Sequence, residues 1–147
     1  MSRVKVIVIG AGPAGMMAAG AAAENGAQVA LLEKNQRVGR KLAITGKGRC
    51  NITNYCDNDT FISQVTSNPR FMYSAINNFS CYDTVAFFED RGLKTKVERG
   101  NRVFPVSDKA ADVVDTLFDH LTDLGVDIYH KEVKGLIIED KDRKSVV

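Results

Sequence analysis

From Val4 to Ile9 the chain is a short run rich in β-branched residues, with Lys5 as its only polar member. That pattern predicts a strand of a parallel sheet covered on both faces. A glycine turn follows, and then small residues dominate from Pro13 to Asn25, predicting an Ala-rich helix able to lie very close to a sheet. Pro13 suits the first helical turn, where its missing N–H costs nothing, and Gly26 suits the left-handed position just past the end. Gln28 to Glu33 predicts a second parallel strand. Strand, helix and strand within about 30 residues make a βαβ unit.

From Asn35 to Asn58 there is no periodicity, and Gly39, Gly46 and Gly48 are interleaved with Arg37, Arg40, Lys41, Lys47 and Arg49. A loop of that length inside a compact domain is usually functional. Helices are predicted over Pro69–Asn78 and Cys81–Arg91, the second capped by Ser80, burying Phe87 and Phe88, and closed by Gly92. Leu93 to Glu98 and Arg102 to Phe104 read as short strands around the turn Arg99-Gly100-Asn101. Ser107 then precedes an amphipathic helix with Ala111, Val114, Leu117, Phe118 and Leu121 at helical spacing, ending at Gly125. Val126–His130 and Gly135–Glu139 read as strands, Lys141-Asp142-Arg143-Lys144 as a polar turn, and Ser145-Val146-Val147 as the start of a returning strand. The expectation is a longer protein, with this chain as the N-terminal part of a domain that is incomplete at residue 147.

Composition narrows the class. With 147 residues and 44% hydrophobic content the chain is about one domain long and able to bury a core. Lys+Arg 20 against Asp+Glu 18 leaves a net +2, which implies no polyanionic partner, so neither nucleic acid nor a membrane surface is expected. No apolar run approaches the roughly 20 residues that span a bilayer. The opening segment resembles a signal peptide only superficially, since it runs straight into the glycine turn, and the expected location is cytoplasmic. Cys50, Cys56 and Cys81 cannot all pair within one chain, and free thiols in a reducing compartment are the reading. His120 and His130 have no serine–acid or metal-ligand partner at usable spacing, so both read as structural or exposed and no metal is expected.

The chemistry lies in Gly10-Ala11-Gly12-Pro13-Ala14-Gly15, which fits G-x-G-x-x-G after a strand and before a helix. Gly10 permits the tight exit from the strand, and Gly12 lets a pyrophosphate approach the backbone. Gly15 and Ala19 let the helix close onto the sheet. The helix N-terminus offers unpaired N–H groups and about half a positive charge to phosphates. Glu33 ends the second strand, 18 residues beyond Gly15, where a carboxylate accepts hydrogen bonds from the adenosine ribose hydroxyls. An acid there also argues against a 2′-phosphate. The stretch from Arg40 to Asn51 could serve the second reach of FAD, or could be a solvated basic loop.

Gly39-Arg40-Lys41-Leu42 followed by Thr45-Gly46-Lys47-Gly48-Arg49-Cys50-Asn51-Ile52-Thr53-Asn54 resembles the signature of a flavoprotein family. This is the NAD(P)/FAD-dependent oxidoreductase family that includes aminoacetone oxidase and a bile-acid dehydrogenation-product reductase. Arg102 to Ser107 and the helix after it, with Ala110 and Val113, also resemble a family segment. Thr45 stands where the family commonly has serine, and the hydroxyl is retained. The resemblance implies an α/β, Rossmann-like FAD-binding domain: a parallel sheet with flanking helices and a β-hairpin or meander. It implies that Gly10, Gly12, Pro13, Ala14 and Gly15 hold the pyrophosphate and that Glu33 and Lys34 hold the adenosine ribose. Arg40, Lys41, Thr45, Gly46, Arg49, Cys50 and Asn51 would lie along the flavin side. Val133, in a strand after Val126–His130, would meet adenine through its backbone. The expected activity passes hydride or electrons between NAD(P)H and a small organic substrate through FAD, and the isoalloxazine carries the redox chemistry, so no catalytic acid or base is named. Two other readings stay open: an NAD-dependent dehydrogenase domain, and a non-catalytic fragment with an incomplete dinucleotide site.

Overall fold

Branched side chains at Val6, Ile7, Val8 and Ile9 favour extended backbone, and they form strand β1 (Lys5–Ile9). The computed structural model describes residues 5–139 and 142–146, with the side chains from residue 138 onward left aside. These residues fall into two compact units, one reaching Leu42 and resuming at Leu117, the other Ala43–Thr116. Val4 of the predicted first strand, Lys141 of the predicted turn and Val147 lie outside the described residues.

In the first unit β1 is followed by helix α1 (Pro13–Glu24) and strand β2 (Gln28–Glu33), as the apolar pattern predicts. β1 pairs with β2 in parallel from Lys5↔Gln28 to Ile9↔Leu32. β2 pairs in parallel with strand β6 (Asp127–His130), giving the order β1-β2-β6. β2 is central and its Val29, Leu31 and Leu32 are buried. Full burial of each such side chain contributes about 1.5–3 kcal/mol. β1 departs from the expectation of cover on both faces: Ile7 is 49% and Ile9 52% exposed. The reason is position, because among the described residues β1 has a strand partner on one side only.

Helix α6 (Ala110–Asp123) ends in this unit, and its last turns pack on α1 at Gly20. A Cβ there would come 3.1 Å from His120 Nε2 and 3.6 Å from Leu121 Cδ2, so the small residue sets how closely the helices approach. The buried stripe of α6 is Ala110, Val113, Val114, Leu117 and Leu121. Ala111 is exposed and Phe118 is 39% exposed, which corrects the predicted stripe. The helix also starts three residues after Ser107, because Asp108 adopts a left-handed φ of 57° that a helix cannot contain. The hairpin β7 (Gly135–Glu139) and β8 (Asp142–Val146) pairs Glu139 with Asp142. The returning strand therefore begins at Asp142, earlier than the polar run Asp142-Arg143-Lys144 had implied.

The second unit opens with helix α2 (Arg40–Ala43), which straddles the division, and a 3₁₀ turn over Thr45–Gly48. Strand β3 (Thr53–Asn54), helix α3 (Asn58–Ser63), helix α4 (Pro69–Asn78) and helix α5 (Cys81–Glu89) follow. Strands β4 (Thr95–Glu98) and β5 (Arg102–Pro105) complete an antiparallel sheet of order β3-β5-β4. No helix is predicted over α3; Asp57 caps it by accepting from the Thr60 backbone N–H at 2.8 Å. Ser80 caps α5 as predicted, in a reciprocal capping box with Asp83. Phe88 is buried, whereas Phe87 is half-buried under the Arg91 guanidinium, 3.8 Å from the ring centroid.

Candidate dinucleotide site

Gly10 leaves β1 with a φ of +94°, a conformation that favours glycine, while its N–H still donates to the Leu32 carbonyl at 2.7 Å. Gly12 is the N-cap of α1, and Pro13 begins the helix. The two later glycines differ in kind. A Cβ on Gly12 would meet nothing within 4 Å, so the space before the helix mouth is open. A Cβ on Gly15 would lie 1.9 Å from the Gly10 carbonyl oxygen, so this glycine is what lets helix and turn touch. Gly39 returns to the same loop, donating from its N–H to the Ala11 carbonyl at 2.8 Å.

Among the described residues Glu33 is the one buried charged residue, 7% exposed. Its Oε2 accepts from the Ala11 N–H at 2.8 Å, which fastens the end of β2 to the glycine turn. Its Oε1 accepts from the Asn35 backbone N–H at 2.8 Å and from the Asn35 side-chain amide. Burial pushes the Glu33 carboxyl up, but the hydrogen bonds from Asn35 and Ala11, with the nearby Lys34 charge, outweigh it and hold it below its ordinary 4.5. A depressed folded value adds stability that is complete above 4.5 and disappears as pH falls through the lowered value. Glu33→Gln is therefore expected to flatten the acid side of the stability curve below 4.5. Urea midpoints measured from about pH 3 to about pH 6 check this, and parallel curves for the two proteins would contradict it.

A cleft of about 330 Å³ opens beside this carboxylate. Its walls are the end of β1 (Ile9, Gly10), the exit of β2 (Leu32, Glu33, Lys34, Asn35) and the segment after β6 (Lys131, Glu132, Val133). Gly10, Glu33, Lys34 and Val133, named from the sequence, thus line one cavity, with Gly12, Pro13, Ala14 and Gly15 on the adjoining turn and helix start. Val133 sits between β6 and β7, not in a strand. Sequence reasoning missed Asn35, Lys131 and Glu132. A polar residue just past a strand is an ordinary turn signal, and nothing local announces that β6 will pair with β2. Arg40 and Lys41 are exposed at the start of α2, with Arg40 Nη1 3.2 Å from Asn35 Oδ1.

Thr45, Gly46, Arg49, Cys50 and Asn51 belong to the second unit. Gly46, Lys47, Gly48 and Cys50 all have left-handed φ, between 55° and 82°. At Gly46 a Cβ would press on the Asn51 N at 3.0 Å and the Phe104 ring at 3.2 Å. Arg49 is not a free cation. It pairs with Glu98 and with Asp108 at 2.7 Å, and its guanidinium lies 4.2 Å from the Phe104 ring centroid. Its hydrogen bond holds the Glu98 carboxyl below its usual range, while Lys96 and then Arg49 do the same for Asp108. Cys50 is fully buried, and that burial pushes its thiol up although a bond with Thr45 pulls the other way. Cys56 and Cys81 share a small core with Ile62 and Ile76, and burial pushes the Cys56 thiol up. All three cysteines are free.

A parallel β-α-β unit with a glycine-opened helix mouth and an acid at the end of its second strand defines a Rossmann-type α/β domain. The chain belongs to the HI0933-like protein Rossmann domain family, whose model matches residues 4–147. It is 38% identical over 128 residues to the 3-dehydro-bile acid delta(4,6)-reductase of Clostridium scindens, covering 85% of this chain and 30% of that protein. It is 35% identical over 120 residues to the ribosomal RNA dihydrouridine synthase of Escherichia coli, covering 81% and 29%. The chain thus spans under a third of the length of these relatives. Among solved structures, Thermovibrio ammonificans THI4 has a TM-score of 0.59 at 14% identity, over 97% of this chain and 45% of that one. L-proline dehydrogenase from P. horikoshii has a TM-score of 0.59 at 15% identity, over 97% and 48%. These two likenesses concern the fold.

Proposed function

We propose that the chain is the FAD-binding part of a flavin-dependent oxidoreductase that passes hydride from NAD(P)H to an organic substrate. One observation carries the reading: the buried Glu33 carboxylate is fastened to the glycine turn at Ala11 and edges a cleft beside the open helix mouth. The N–H groups at the start of α1 would hold the pyrophosphate, with Gly12 leaving it room. Glu33 and Lys34 would hold the adenosine ribose, and the backbone at Val133 the adenine. The assignment of Arg40, Lys41, Thr45, Gly46, Arg49, Cys50 and Asn51 to the flavin end rests on the sequence run itself. FAD, when bound, supplies the two-electron chemistry, and the protein supplies binding, orientation and electrostatics.

The names of the two relatives point to one reaction type, since both denote saturation of a carbon–carbon double bond. We therefore propose such a bond, conjugated to a carbonyl, as the target, and a small molecule in the cytoplasm as the substrate. A second reading, a pyrimidine base of ribosomal RNA, is favoured by the 35% identical relative and runs against the expectation drawn from the +2 net charge. The full-length protein, once purified, is expected to be yellow, to show flavin absorbance, and to release FAD on heating. A colourless protein that releases no FAD would remove the flavin reading. If NAD then bound tightly and unopposed by FAD, the dehydrogenase reading would replace it.

A further inference from the structure

We infer that Asn35, held in place by His130, is a positioning residue of the adenosine half-site, orienting the Glu33 carboxylate toward the ribose of an adenine dinucleotide. The inference deepens the function proposed above and rests on it. A carboxylate offers about four acceptor positions, and on Glu33 three are used by the chain: Ala11 N–H on Oε2, and the Asn35 N–H and side-chain amide on Oε1. Two of these three donors come from Asn35. The arrangement leaves about one acceptor position for a ligand hydroxyl, so its direction depends on where Asn35 stands.

Asn35 is itself anchored. The β2–β6 register sets His130 directly opposite Glu33. From there the His130 Nδ1 reaches the Asn35 carbonyl at 2.8 Å. A carbonyl only accepts, so the imidazole must carry its proton on Nδ1. That bond pins the chain where it leaves the sheet and turns the Asn35 N–H back onto Glu33. On the other side Arg40 Nη1 meets Asn35 Oδ1 at 3.2 Å. Asn35 also lines the cleft. His130, which reads from sequence as structural or exposed, thereby acts on the site through one residue without lining it.

The test measures FAD affinity by flavin fluorescence on the full chain stripped of flavin, with the unfolding midpoint of each flavin-free variant as a folding control. Asn35→Ala is expected to weaken FAD about tenfold, the scale of one hydrogen bond to a charged group. Glu33→Gln also weakens it, and the double variant is expected to be no worse than Glu33→Gln alone, because Asn35 acts through that carboxylate. His130→Ala is expected to weaken binding and His130→Asn to restore it, since the asparagine amide nitrogen sits about where Nδ1 does. His130→Gln, whose amide reaches the Nε2 position, is expected not to restore it. Additive effects of Asn35→Ala and Glu33→Gln overturn the inference, as does a His130→Asn protein that folds normally yet binds no better than His130→Ala. Should Asn35→Ala fail to fold, the His130 series alone decides. A wild-type protein that binds NAD and not FAD removes the flavin reading but leaves the same couplings to be scored with NAD, which carries the same ribose. Binding of neither cofactor overturns both.

Discussion

Gly15→Ala is expected to destabilise the protein by about 3 kcal/mol or more, the upper end for forcing extra carbon into a packed position. The added Cβ would stand 1.9 Å from the Gly10 carbonyl oxygen and 3.1 Å from its carbon. The obstacle is backbone, not the flexible end of a side chain, so relief requires α1 to lift from the turn. Lifting α1 would expose Met16 and Ala19, which are 1% and 0% exposed. It would also disturb the Ala11 N–H bond to Glu33. Urea denaturation of the flavin-free protein reads the effect as a lower midpoint, with loss of dinucleotide binding alongside. A Gly15→Ala protein within about 0.5 kcal/mol of wild type would mean that helix and turn do not touch as described.

Gly12→Ala is expected to do the opposite, keeping the fold and losing the ligand. Its φ of −77° and ψ of 177° are ordinary for alanine, and the new Cβ meets no atom of the chain within 4 Å. Stability should fall by no more than about 1 kcal/mol, the scale of a helix N-cap exchange. Yet that open space is where a pyrophosphate must come against the N–H groups at the helix start. A methyl group there is expected to weaken FAD about a hundredfold, or roughly 2.7 kcal/mol. Calorimetric titration with FAD beside a thermal melt separates the two quantities. Unchanged affinity with an unchanged melt would show that no pyrophosphate lies at Gly12. The two glycines, three residues apart in one motif, thus provide a test of packing and a test of recognition.

Much of this was legible residue by residue. The bounds of β2, α4 and β7 follow from local pattern, and the Ser80 cap follows from hydrogen-bonding chemistry within four residues. Helix α3 was not legible, because six residues hold too few turns for an apolar period to register. The buried stripe on α6 differs from the apolar spacing at Ala111 and Phe118: several apolar residues compete for one face, and packing selects Ala110 and Val113. The partners of Arg49 were not legible either, because Glu98 and Asp108 lie 49 and 59 residues away in sequence.

By itself, then, the order of residues determined the βαβ unit, its glycine turn and its terminal acid, because short-range sterics and the period of buried positions are local properties. Only tertiary structure decided that β6 pairs beside β2, so that Lys131 and Glu132 wall the cleft and His130 stands opposite Glu33. Strand pairing joins segments about a hundred residues apart through backbone hydrogen bonds that every residue type makes almost equally well, so no side-chain pattern records the partner.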